Sequence, residues 1–185
     1  MHASAITMYP IETLNYLLGL ATIVLQFVTL ALIVLLIARK KYPALADASK
    51  PVETWGLWIV LATVVGAVSM ALYYSEILGI IPCGLCWLMR IFMFSQVPLF
   101  ALAAWRGDKN IADYSIVLSI FGIFLGFYQH YLQMGGASVL PCPASGGGDC
   151  GLRFMFEFGY ITFPLMGASL FAFLIVLMLF VRKRI

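Results

Sequence analysis

Five long stretches of this chain are almost free of charge: residues 14–38, 55–75, 86–105, 114–133 and 159–181. Each is near the roughly 20 apolar residues that a helix needs to cross the hydrocarbon core of a bilayer. Apolar and polar positions do not alternate within them, as the roughly ten-residue strands of a membrane barrel would require. The pattern therefore predicts five transmembrane helices and an all-α membrane protein. Arg90 is the charge that falls well inside a span.

Composition supports the same picture. The 185 residues are 63% hydrophobic and 10% charged, whereas soluble domains carry about a quarter charged residues. The net charge of +3 is small, and the basic residues cluster at span ends rather than along one stripe, which excludes a nucleic-acid-binding role. The run Ala44-Leu45-Ala46 has the small-residue look of a cleavage site. Yet no Lys or Arg precedes the first span, and its apolar run is too long for a signal peptide. A retained first helix is expected.

Cytoplasmic loops carry the excess of Lys and Arg. With the N-terminus outside, Arg39, Lys40, Lys41 and Lys50 fall in the first inner loop, Arg106 and Lys109 in the second, and Arg182, Lys183 and Arg184 in an inner tail. The outer side then holds residues 1–13, 76–83 and 134–158. Cys83, Cys142 and Cys150 fall there, with Cys86 at the outer end of its span. That compartment is the one in which disulfides persist.

The four cysteines form two pairs. Cys83 and Cys86 make a C-x-x-C in IPCGLCWLMR. Pro82 ends the preceding turn and Cys86 opens the third span, where unpaired N–H groups and the helix dipole favour a thiolate. Arg90 lies four residues on and shares a face with Cys86. It can snorkel towards the thiolate or an electronegative cofactor, or bind a lipid phosphate or a helix carbonyl. Cys142 and Cys150 lie in LPCPASGGGDC. Gly146, Gly147 and Gly148 let the chain double back, and closing so short a loop costs little entropy. That disulfide is either structural or open to exchange, and Pro141-Cys142-Pro143 favours exchange by presenting Cys142 on extended backbone. A tetrathiolate zinc site is the competing use of four cysteines, but the spacing of the second pair does not suit it. No metal is expected.

The run LRFMFEFG, with Arg153 and Glu157 four apart, reads as a short interfacial helix or as the start of the last span with an Arg–Glu pair. Gln129 and His130 lie level with the cysteines. His130 is either a satisfied interfacial residue or a group able to hydrogen-bond and protonate a membrane-soluble cofactor. Gln26 and Gln96 should bridge helices, and Glu76 should be a solvated span end. Tyr73, Tyr74, Trp87, Tyr128 and Tyr131 look like interface belt, and Trp87 could also flank a flat ring.

Taken together, CGLCWLMR, then YQHYLQ, then an outer-loop cysteine pair, then Ile161-Thr162-Phe163-Pro164 resemble the DsbB family of disulfide-generating membrane proteins. The short-loop BdbC-like branch is the closer match, over roughly residues 55–181. The resemblance implies a four-helix bundle, here residues 55–185, with residues 1–54 adding one N-terminal transmembrane helix and a basic inner linker. It also implies a bacterial cytoplasmic membrane with the cysteines on the periplasmic or extracellular side. Cys142 would be attacked by a thiol of a DsbA- or BdbD-like thioredoxin-fold protein, with Cys150 as its disulfide partner. Cys83 and Cys86 would form the second redox pair, with Cys86 beside a quinone, ubiquinone or menaquinone. Arg90 would help to hold the quinone, with His130 as a second contact and Trp87 beside it. The first helix, absent from typical members, could dock another membrane protein.

On this reading the chain is a protein-dithiol:quinone oxidoreductase. Strong protein oxidants lie near about −120 mV, so the terminal acceptor for such a partner must be more oxidising still. A vitamin K epoxide reductase-like enzyme is the runner-up, although its C-x-x-C lies late in the bundle. An assembly subunit with structural disulfides is the non-enzymatic alternative. A transporter lacks evident inverted repeats and broken helices.

Overall fold

A computed structural model describes residues 11–39, 41–139, 142 and 149–182. Among the described residues five α-helices follow one another: α1 Ile11–Ala38, α2 Pro43–Leu72, α3 Gly84–Arg106, α4 Ile111–Gln133 and α5 Phe163–Val181. A π-helical turn, Tyr73–Ile77, extends α2. All five helices are long and apolar enough to cross a membrane. The described residues contain no strand, only an isolated bridge between Glu157 and Ile161.

α5 is the central helix. Phe171, Leu174, Leu177 and Met178 are almost fully buried on it, against Val60 and Val64 of α2 and Phe100 of α3. Apolar contact gives little drive for association in lipid, so close backbone approach and interhelical hydrogen bonds matter more. Gly122 and Gly126 of α4, one turn apart, supply that approach. A Cβ at Gly122 would strike the Phe171 ring, and one at Gly126 would lie 2.9 Å from the Ala168 Cβ. Gln96 ties α3 to α4: its Oε1 accepts from the Ser115 hydroxyl at 2.7 Å, and its Nε2 donates to Ser119 at 3.4 Å. Gln26 ties α1 to α5 through Ser169 at 2.9 Å. Both glutamines bridge helices as expected.

Two helix starts differ from the hydropathy pattern. α2 begins at Pro43 rather than at residue 55. Pro43 is placed at the start of the helix, where its missing N–H is harmless. Lys50–Asp47 at 2.7 Å and Arg39–Glu53 at 2.6 Å stabilise the polar first turns. The stretch read as a linker is therefore mainly helix. α5 begins at Phe163 rather than at residue 159, with Pro164 in its first turn. Residues 151–162 form turns, with Phe158 and Gly159 at positive φ, so LRFMFEFG is neither an interfacial helix nor the start of the span. Arg153 is stacked at 4.8 Å over the Phe156 ring.

The helices alternate in direction, which sorts the polar ends. Arg39–Glu53 and Arg182–Asp113 (2.8 Å) lie at the end of the bundle opposite the cysteines. Lys40, Lys183 and Arg184 lie outside the described residues, as do Pro141, Pro143 and the Gly146–Gly147–Gly148 run.

Candidate functional site

The site grows from the start of α3. Cys83 is the N-cap, in extended backbone, and its sulfur accepts the Cys86 N–H at 3.4 Å. One turn of helix brings the two sulfurs 3.0 Å apart as free thiols. Gln129 arrives from α4, almost fully buried, and its amide Nε2 lies 3.0 Å from both sulfurs. The hydrogen bond shared with Cys86, together with burial, pushes the Cys83 thiol up, so Cys83 keeps its proton. Cys86 is the half-buried member of the pair and faces a cavity, which Cys83 does not line.

Cys142 and Cys150 are joined in a disulfide. Two of the four sulfurs that a tetrathiolate would need are thus already bonded. Cys150 is 1% exposed, while Cys142 is half-buried. Gln133 Nε2 donates to the Leu152 carbonyl at 3.0 Å and fixes the chain after Cys150 to the end of α4. Cys83, Cys86, Cys142 and Cys150 all pack into one cluster with Leu85, Leu132, Leu125 and Tyr128. The two pairs, far apart in sequence, share one end of the bundle.

The cavity is about 400 Å³ and lies between α1, α2, α3 and α5. Cys86, Arg90 and Gln129 line its polar end, and the rest is mainly apolar, including Met89, Leu170 and Phe171. Arg90 donates to the Ala71 carbonyl at 2.8 Å, just before the π turn, and its guanidinium lies 5.4 Å from the Trp87 ring centroid. Its direct partner is thus a helix carbonyl, and it forms part of the wall. His130 and Trp87 do not line the cavity. The His130 Nδ1 pairs with the buried Thr162 hydroxyl at 2.8 Å, and Trp87 is exposed. Tyr74, read as belt, is buried on the cavity wall and donates to Asn15 Oδ1 at 2.5 Å. Glu76 is exposed, as a span end should be.

Sequence reasoning passed over Gln129 in favour of its neighbour. Adjacent residues on a helix point about 100° apart, so only one of Gln129 and His130 can face the sulfurs. The Gln129 Oε1 is buried and has no hydrogen-bond partner.

The family model for "Disulfide bond formation protein DsbB" matches residues 53–181, more than half of the chain. The chain is 34% identical over 111 residues to "Disulfide bond formation protein C" of Bacillus subtilis, covering 58% of this chain and 78% of the relative. It is 35% identical over 137 residues to a "Probable disulfide formation protein" of Metapseudomonas resinovorans, covering 71% and 92%. A "Probable disulfide formation protein" of Chlamydia caviae is 36% identical over 115 residues, covering 62% and 79%. No solved structure matches the chain significantly. α1 precedes the matched segment, and the C-x-x-C, the loop disulfide and the cavity-lining Arg90 and Gln129 all fall within it; this five-helix chain belongs to the DsbB family of disulfide bond formation proteins, on its BdbC-like side.

Proposed function

We propose that this protein reoxidises a thioredoxin-fold partner and delivers the electrons to a membrane quinone. The observation that carries this reading is the packing of a loop disulfide and a C-x-x-C dithiol in one cluster, with Cys86 alone of the four sulfurs on a cavity between the helices. A partner thiolate attacks the accessible Cys142 sulfur, the Cys142–Cys150 bond breaks, and Cys150 leaves as a thiolate. The partner's second thiol then resolves the mixed disulfide and departs oxidised. Exchange with a Cys83–Cys86 disulfide, formed in the preceding turnover, re-forms the Cys142–Cys150 bond and returns Cys83 and Cys86 to the thiol state. Cys83 and Cys86 then rejoin as a disulfide, and a quinone held beside Cys86 would supply the acceptor for the two electrons and two protons given up.

The cavity suits such a group. It is apolar enough for a ring and tail, and its polar end offers the Arg90 guanidinium to a carbonyl oxygen. The unpartnered Gln129 Oε1 offers an acceptor to a hydroxyl. Gln129 Nε2 and the protonated Cys83 both donate to Cys86, which keeps that sulfur the nucleophile of the pair. The gathering of basic residues at the far end supports an orientation with the cysteines on the outer face of a bacterial membrane, by the positive-inside rule. Residues 55–185 form the redox unit.

The test is turnover in proteoliposomes with a reduced DsbA-like protein and ubiquinone or menaquinone. Quinone absorbance should fall only when the dithiol protein is present. Cys86→Ser should abolish that loss, while Cys142 still forms a mixed disulfide with the partner. Quinone consumption that survives Cys86→Ser would overturn the reading.

A further inference from the structure

α1 lies before the family-matched segment, yet it is built into the cavity. Leu18, Ala21, Thr22 and Leu25 form one wall of it, facing Thr63 and Met70 of α2 and Leu170 of α5. Its attachment is polar and specific. Asn15 accepts from Tyr74, Gln26 donates to Ser169 and accepts from the Tyr160 hydroxyl at 3.1 Å. Gly19 lets the Glu157–Phe158 turn approach, since a Cβ there would lie 3.0 Å from the Phe158 ring. Asn15, Gly19, Thr22, Gln26 and Thr29 follow a three-four spacing, so this seam faces the bundle. The opposite face, with Val24, Phe27 and Val34, is exposed.

The cavity has a direction. Cys86, Arg90 and Gln129 line its cysteine end, while the hydroxyls of the other polar lining residues are already spent, Thr22 on the Leu18 carbonyl, Thr63 on the Ile59 carbonyl and Tyr74 on Asn15. From the cysteine end it runs along α2 from Ala71 to Thr63, eight residues or about 12 Å, and along α1 from Leu18 to Leu25. A quinone headgroup at the sulfur end sends its isoprenoid tail down this apolar stretch. The family-matched segment alone would leave the stretch without its α1 wall.

We infer that α1 is the element of this chain that holds and selects the isoprenoid tail of the quinone. The inference rests on the quinone reading above. α1 therefore governs affinity and tail preference, while the headgroup chemistry stays with Cys86, Arg90 and Gln129. Leu25 lines the deep part of the wall, and Val24 beside it points to lipid.

The experiment compares the full chain with Leu25→Trp, Leu25→Ala and the control Val24→Trp in nanodiscs. Binding of single-isoprene and long-chain ubiquinones and menaquinones is read from the quinone-induced rise in thermal midpoint, which follows ligand concentration over Kd. Exchange of the Cys142–Cys150 disulfide with dithiothreitol reports on the outer end independently. Leu25→Trp should weaken long-chain binding about tenfold and single-isoprene binding less than about twofold, with exchange unchanged. Leu25→Ala should weaken long-chain binding severalfold, which keeps the test alive should the tryptophan disturb folding. Val24→Trp should change neither. Equal losses for short and long tails, or none at Leu25 while the native chain binds both, would overturn the role of α1 alone. Failure of the native chain to bind any quinone would overturn the quinone reading itself.

Discussion

Replacing Gln129 with Leu should lower the reduction potential of the Cys83–Cys86 pair by tens of millivolts. The side chain is buried, and its amide donates at 3.0 Å to both sulfurs. A hydrogen bond to a charged group is worth about 1.5–3 kcal/mol. On the proposed mechanism the reduced pair reacts as a Cys86 thiolate that uses this donor, whereas the disulfide carries no charge to stabilise. Loss of the donor therefore penalises the reduced state, and the disulfide becomes harder to reduce. For a two-electron couple about 1.4 kcal/mol corresponds to 30 mV, so the shift is about 30–65 mV towards negative potential. Leu is close in size and removes the unpartnered Oε1, so folding should survive. Gln129→Glu sets the opposite charge balance, a carboxylate beside the thiolate, and should lower the potential further. The assay equilibrates each variant in thiol–disulfide buffers, traps free thiols by alkylation and counts them by peptide mass spectrometry. A potential unchanged within about 10 mV, or one that rises, would refute the assignment of Gln129 as the thiolate's donor.

Three further outcomes follow from the geometry. After reduction, maleimide should label Cys142 well before the buried Cys150, and a Cys150→Ser variant should trap the partner on Cys142; faster labelling of Cys150 would reverse the assigned order of attack. Because the Cys83 thiol is pushed up, it binds its proton at pH values where an unperturbed thiol, with a pKa near about 8.5, has lost it. Its alkylation in the reduced protein should lag behind that of a denatured control through this range and rise only at higher pH; a matching pH profile would sink the argument. Gly126→Leu should cost at least about 1–3 kcal/mol through overpacking against Ala168 and the Pro164 carbonyl, seen as a lower thermal midpoint in detergent. A variant as stable as the native chain would show that α4 and α5 need no close approach.

The spans, the two cysteine pairs and the start of α3 close to the C-x-x-C were legible because each depends on local pattern: apolar length, a proline before the helix and a glycine-rich return; that Cys83 itself caps the helix was not. What escaped the sequence depends on which way a helix is rotated, or on what packs beside it. The polar turns at 43–54 looked like a linker because Asp47, Ser49, Lys50 and Glu53 are also loop residues. Their helical role becomes visible only with Arg39 folded back onto Glu53 from α1. Residues 152–159 looked helical because Leu152, Phe154, Met155, Phe156 and Phe158 surround Arg153 and Glu157, yet Phe158 takes positive φ and the Glu157–Ile161 bridge closes a turn. Gln129 and His130 could not be told apart by spacing alone, since both are polar and both lie level with the cysteines.

Polar side chains inside the spans distinguish scaffold from site by how they are paired. Asn15 meets Tyr74, Gln26 meets Ser169, and Gln96 meets Ser115 and Ser119, each a hydrogen bond between helices. Such pairs satisfy groups that hydrocarbon cannot, and they hold the bundle in register. Gln129 is spent differently. Its donor side serves two sulfurs, and its acceptor side is left without a partner at the edge of a cavity. Arg39 Nε and Gln133 Oε1 are also unpartnered, but neither residue lines that cavity. A buried acceptor left open in an apolar setting costs about 1–3 kcal/mol, which a fold tolerates where something else completes it. On the function proposed above, the group that would complete Gln129 is the reduced quinone, whose hydroxyl could donate to Oε1 beside Cys86.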